Sequence, residues 1–314
     1  MRNGRLLLPG LAAFAVALVA SGVLHREVPE GLPVTPSLTL LMVPIARLAM
    51  FALGALAFGS ALVITTLGGS REVRRIGVLG SAGYALVTAL VLVLTLADAL
   101  ARDWWSAIDL RMLRSFATQI DEGRYLTAQI LIGAVACWVL SRGKQLLDFA
   151  FAAIALGIAI TLPAFSGHSA AALPHWVASA TMVVHLLALS AWIGGVAILL
   201  LVPSDQSISG FSRIASIALP AVLVSGVASV VARINDWASV LHDSYTLVLL
   251  VKIAATGAVI WFAAQTRQRL RDSLAATSSG KGVAAAVRRT LAVEGALMFV
   301  VLGLGVVLAR MANP

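Results

Sequence analysis

Charge is the scarcest resource in this sequence. Asp, Glu, Lys and Arg make up 12% of its 314 residues, where a soluble domain carries about a quarter. Cysteine is almost absent: Cys137 stands alone, which excludes a disulfide framework and a CxxC metal motif. There is no P-loop sequence, so ATP does not drive this protein directly. No Met-rich tract and no separate soluble domain interrupt the chain. A hydrophobic share of 60% and a mean hydropathy of +0.96 complete the exclusion. A soluble enzyme, a disordered chain and a small secreted module all fail on these grounds, and no enzyme activity is expected.

Long apolar stretches fill the space instead. Nine of them, at 6–24, 43–67, 76–97, 125–140, 146–162, 177–201, 208–231, 245–264 and 290–308, approach the ~20 residues a spanning helix needs. The expected fold is an all-α polytopic membrane bundle of about nine helices. Residues 1–37 form an N-terminal helix and outer loop, resembling a signal peptide in Arg2, Arg5 and Ala20-Ser21-Gly22. Residues 38–314 form an eight-helix membrane domain.

The formal net charge of +9 would suggest nucleic acid in a soluble protein. Here Lys and Arg gathering in cytoplasmic loops explain it, and no nucleic-acid partner is expected. Placing the N-terminus in the cytoplasm puts the cluster from Arg267 to Arg289 inside and the C-terminus outside, in the periplasm. Membrane lipid is then the partner of most of the surface. In the long outer loop at 98–124, Trp105, Ile108, Met112, Phe116 and Gln119 recur at helical spacing. They predict an amphipathic helix on the membrane surface, with Asp103 as its cap.

This topology gathers the five histidines. His25, His168, His175 and His242 fall in outer loops or at outer helix ends, and His185 lies inside the sixth span. His168, His175, Met182 and His185 occur within twenty residues. On one helix His175, Met182 and His185 share a broad face, with His185 ~15 Å deeper than His175. Imidazole and thioether suit copper, and Met favours Cu(I). An ionisable side chain at membrane depth defaults to a functional role, which makes His185 the centre of this ladder, with His242 in support.

Trp192 follows two turns below His185, as packing or as a floor to the site, and Gly194 and Gly195 invite close approach of another helix. Arg47 and Lys252 are intramembrane charges that either snorkel to the headgroups or pair with a buried acid, Asp98 and Asp243 being the candidates for Lys252. Glu294 is placed at the inner interface beside Arg288 to Thr290. Weak internal symmetry sets Arg47-Leu48 against His185-Leu186 and Gly133-Ala-Val against Gly257-Ala-Val, as in a parallel-repeat transporter.

Three blocks carry a family likeness. They are Gly167-His168-Ser169 with the HLLALSAWIGG run from His185 to Gly195, Phe211-Ser212-Arg213 with Pro220 and Ser225-Gly226, and the run from Tyr245 to Lys252 with Gln265-Thr266-Arg267. Over about 166–271 the chain resembles the copper resistance protein D (CopD-like) membrane family. That resemblance implies eight spans with both termini outside and movement of copper across the bacterial inner membrane. The first helix is then additional. Copper ion is the expected cargo, import is favoured over export, and a separate periplasmic copper carrier protein is a partner consistent with ligands held outside. Two other readings stand beside it: a membrane haem b electron carrier with His axial ligands, and an assembly or sensor partner without transport.

Overall fold

The computed structural model describes residues 33–165, 175–202, 205–233, 244–275 and 280–309. Among them every regular element is a helix. We label them α1 (Ser37–Val63), α2 (Arg71–Ala99), α3 (Leu110–Gln119), α4 (Asp121–Arg142), α5 (Leu146–Thr161), α6 (His175–Leu201), α7 (Asp205–Arg233), α8 (Ser244–Ala275) and α9 (Gly280–Leu308). A π-helical turn, Ile64–Gly68, follows α1, and a 3-10 turn, Leu162–Phe165, follows α5. Eight of these helices, all but α3, are long and apolar enough to cross a membrane. The chain is a multi-pass membrane protein. The stretch at 6–24 lies outside the described residues.

The chain divides into two compact units. In the first, α1 to α7 pack around α1. A bilayer supplies no water for stray backbone groups, so helix ends are tied off locally. Ser70 caps α2 by accepting the N–H of Val73 at 3.3 Å. Arg74 donates from Nε to the carbonyl of Leu140 at 2.7 Å and from an Nη to that of Ser141 at 2.6 Å. Those are last-turn acceptors of α4 that intrahelical bonding leaves without donors. The same guanidinium lies 5.6 Å from the centre of the Phe149 ring on α5. Asp148 accepts the N–H groups of Lys144 and Gln145 at 2.8 and 3.0 Å, starting α5. These contacts make the short connection between α4 and α5 a true turn between two spans.

The tightest crossing is α1 on α6. A Cβ added to Gly59 would stand 2.6 Å from Gly194 Cα, and one on Gly194 would run into the carbonyl of Ala55. Gly195 lies as closely against the Phe211 ring of α7. The close approach expected at this glycine pair is present, with α1 on one side and α7 on the other. Outward side chains such as Leu86, Ile217 and Val224 are exposed, as a lipid-solvated surface requires. In the second unit, α8 and α9 pack as a pair.

One expectation changes. The surface helix is shorter than its periodicity suggested. Asp109, not Asp103, caps it, accepting from Arg111 N at 2.7 Å and Met112 N at 3.2 Å. Asp103 instead closes a turn with Ser106, so Trp105 and Ile108 precede the helix, and Phe116, 7% exposed, joins the core. Arg47 takes the second of its two expected roles: helix α1 begins six residues before the apolar stretch at 43, which sets Arg47 nearly three turns inside, paired with the Glu122 carboxylate. Glu294 lies near one end of the apolar span Leu291–Leu308 of α9 and is 3% exposed.

Candidate functional site

Helices α6 and α7 form an antiparallel hairpin, and their contact places His185. Its Nδ1 lies 3.2 Å from the carbonyl oxygen of Val222 and 3.1 Å from Ser225 Oγ. Ser225, buried, donates its own hydroxyl to the Ala221 carbonyl one turn back. Small polar residues in membrane helices bond to their own i−4 carbonyl in this way. Gly226 keeps the ring close: a Cβ there would stand 3.4 Å from His185 Cε1.

Met182 stands one turn before His185 on α6 and is half-buried. Residues three apart on a helix are neighbours, so thioether and imidazole occupy one face at membrane depth. Trp192, two turns deeper, is buried. Ser229 on α7 is one turn from Ser225, on the side level with Met182 because the two helices run in opposite directions. Its hydroxyl is buried with no hydrogen-bond partner among the described residues.

His175 is the first residue of α6, seven and ten positions before Met182 and His185. Its side chain, and the whole of His25, His168 and His242, lie outside the described residues. Among the described residues no three His, Cys, Asp or Glu side chains gather where one ion could be held. What the structure brings together is a pair, Met182 and His185, with α7 behind the ring.

A second polar group sits in the same unit, on other helices. Arg47 of α1 meets the Glu122 carboxylate of α4 at 2.5 Å and Thr95 of α2 at 3.4 Å. Gln129 of α4, buried, donates to the Ala159 carbonyl of α5 at 2.8 Å. Arg47, Glu122, Tyr125 and Gln129 line a cleft of about 40 Å³, room for one or two waters. In the other unit, a Cβ on Gly305 would stand 3.5 Å from Lys252 Nζ. The ammonium thus reaches the last turn of α9.

Sequence reasoning missed Glu122, read as loop, and the role of Ser225. Ser225-Gly226 stood out only as part of the family likeness, with nothing to pair it with His185. The repeated Gly-Ala-Val triplets are not equivalent in packing. Gly133 abuts Tyr84 and Ala85, whereas Gly257 has nothing within 4 Å among the described residues.

Two family models match the chain: "Copper resistance protein D-like, N-terminal domain" over residues 37–176 and "Copper resistance protein D" over residues 205–308. The stretch between them holds the run from His185 to Gly195. No curated protein and no solved structure matches. The two matches follow one another along the chain and between them cover seven of the eight spans, all but α6, and the chain is a member of the copper resistance protein D family.

Proposed function

We propose that this protein carries copper across the bacterial inner membrane, importing rather than exporting it, with His185 as the central ligand. Membership of the family gives a role in copper resistance or handling. The observation that carries the finer reading is His185 itself. It is an imidazole at membrane depth, one turn from Met182, with Nδ1 already engaged by α7. A ligating histidine is held in this manner, its other nitrogen donating to a carbonyl or hydroxyl.

With the N-terminus in the cytoplasm, His175 opens α6 at the outer surface. His168 and His175 then capture copper, delivered by a periplasmic carrier, and Met182 and His185 take it inward. A cation moving inward gains about 2.3 kcal/mol per charge per 100 mV of membrane potential, so import needs no further energy source. Trp192 floors the site.

Copper uptake by cells expressing and lacking the protein tests the reading. Expression should raise cell-associated copper, and His185→Ala should abolish the gain. The alternative, a membrane haem b electron carrier, needs two axial ligands; a Soret band in the purified protein would establish it and sink the permease reading. Copper ligation needs neutral imidazole, so capture at about pH 5.5 should be weaker than at neutral pH.

A further inference from the structure

Copper ligation at His185 requires a ring nitrogen that carries a lone pair, and the α6–α7 contact selects which one. The Val222 carbonyl oxygen, 3.2 Å from Nδ1, can only accept. Nδ1 is therefore the protonated nitrogen. Ser225 Oγ, 3.1 Å away, has backbone carbonyls, those of Ala221 and Val222, as acceptors for its hydrogen and so presents a lone pair to the ring. The Nδ1 proton is shared between two acceptors three residues apart on one face of α7. In the neutral ring the lone pair then belongs to Nε2.

We propose that Ser225 is a positioning residue: with the Val222 carbonyl it holds His185 in the Nδ1–H tautomer and makes Nε2 the ring's metal-ligating atom. The ligating half of this statement rests on the copper reading above; the tautomer half rests on the hairpin geometry alone. The chemistry follows from the arrangement. A soft monovalent copper ion meets a lone pair at Nε2 and has no proton to displace there. The Val222 carbonyl fixes the same proton from the backbone, so loss of Ser225 is a partial loss. Partners of this kind change metal affinity by about 10–100-fold when removed, and the lower end is expected here.

The test uses the full chain in detergent or bilayers, labelled with nitrogen-15 in its histidines, the His185 signals being those lost in His185→Gln. In the wild type the His185 spectrum should show a protonated Nδ1 and an unprotonated Nε2, and added Cu(I) should move the Nε2 signal. Ser225→Ala should give a mixture of tautomers and about 10-fold weaker Cu(I) binding. Ser225→Thr, which keeps the hydroxyl, should restore both. A wild-type ring protonated on Nε2 would overturn the proposal. So would a Ser225→Ala protein with unchanged tautomer and unchanged affinity. A ring held as Nδ1–H in the wild type and scrambled in Ser225→Ala, yet unmoved by Cu(I), would overturn the copper reading while supporting the positioning role of Ser225.

Discussion

Arg47 of α1 closes on Glu122 of α4 at 2.5 Å, although 75 residues separate them in sequence. The pair is intermediate in setting, with side chains 27% and 41% exposed. Exposed ion pairs are worth ~0.2–1 kcal/mol, and breaking a fully buried one costs ~3–5 kcal/mol.

Glu122→Gln should therefore destabilise the protein by about 1–2 kcal/mol, between these limits. Arg47→Gln should cost about the same, and the double variant little more than either single one, because the residues share one interaction. Thermal unfolding in detergent measures the cycle. Additive losses would show that the two side chains act independently.

The α1–α6 crossing should not tolerate a methyl group. Gly194→Ala puts a Cβ into the Ala55 carbonyl and the Gly59 backbone, and overpacking of that kind costs about 1–3 kcal/mol. Gly257→Ala, where nothing among the described residues lies within 4 Å, should be neutral or stabilising by up to about 1 kcal/mol. Melting temperatures of the two variants should therefore move in opposite directions or differ clearly.

Arg74 joins α2 to the end of α4 through two carbonyls and to α5 through Phe149. Arg74→Ala should cost about 1–3 kcal/mol. Arg74→Lys should recover only part, since an ammonium lacks the planar fork that reaches two acceptors. Hydrogen exchange should speed up at the end of α4 and the start of α5. Unchanged exchange there would show that other groups hold this turn.

Ser229 tests the polar face of α7. Its hydroxyl is buried without a hydrogen-bond partner among the described residues, and such a group carries a desolvation cost of ~1–3 kcal/mol. Ser229→Ala should raise the melting temperature of the metal-free protein. A drop would mean that the hydroxyl has a partner when the protein is in its membrane.

The eight core spans were legible because apolar length is a coarse, additive signal that lipid enforces on every residue. Their ends were less so. Helices α1 and α9 begin six and ten residues before their apolar stretches at 43 and 290, since Ser-Leu-Thr and Gly-Val-Ala runs propagate a helix without adding much hydropathy. The extra turns of α1 set Arg47 nearly three turns inside that helix. Asp103 and Asp109 are both good cap residues, and only the packing of Phe116 chooses between them. At the candidate site, His185 stood out as an ionisable group inside an apolar span, and Met182 by its spacing. Val222 could not be found from sequence, because its contribution is a backbone carbonyl that any residue carries. Ser225 could not either, because its contact depends on the register of the α6–α7 hairpin.

The central claim is that His185 carries copper through the membrane, and uptake into vesicles tests it most directly. Purified protein reconstituted with an inward-negative potential should take up Cu(I). His185→Ala, shown to be folded by its melting curve, should fall to the protein-free rate at neutral pH and at about pH 5.5 alike. Full uptake by folded His185→Ala would contradict the account.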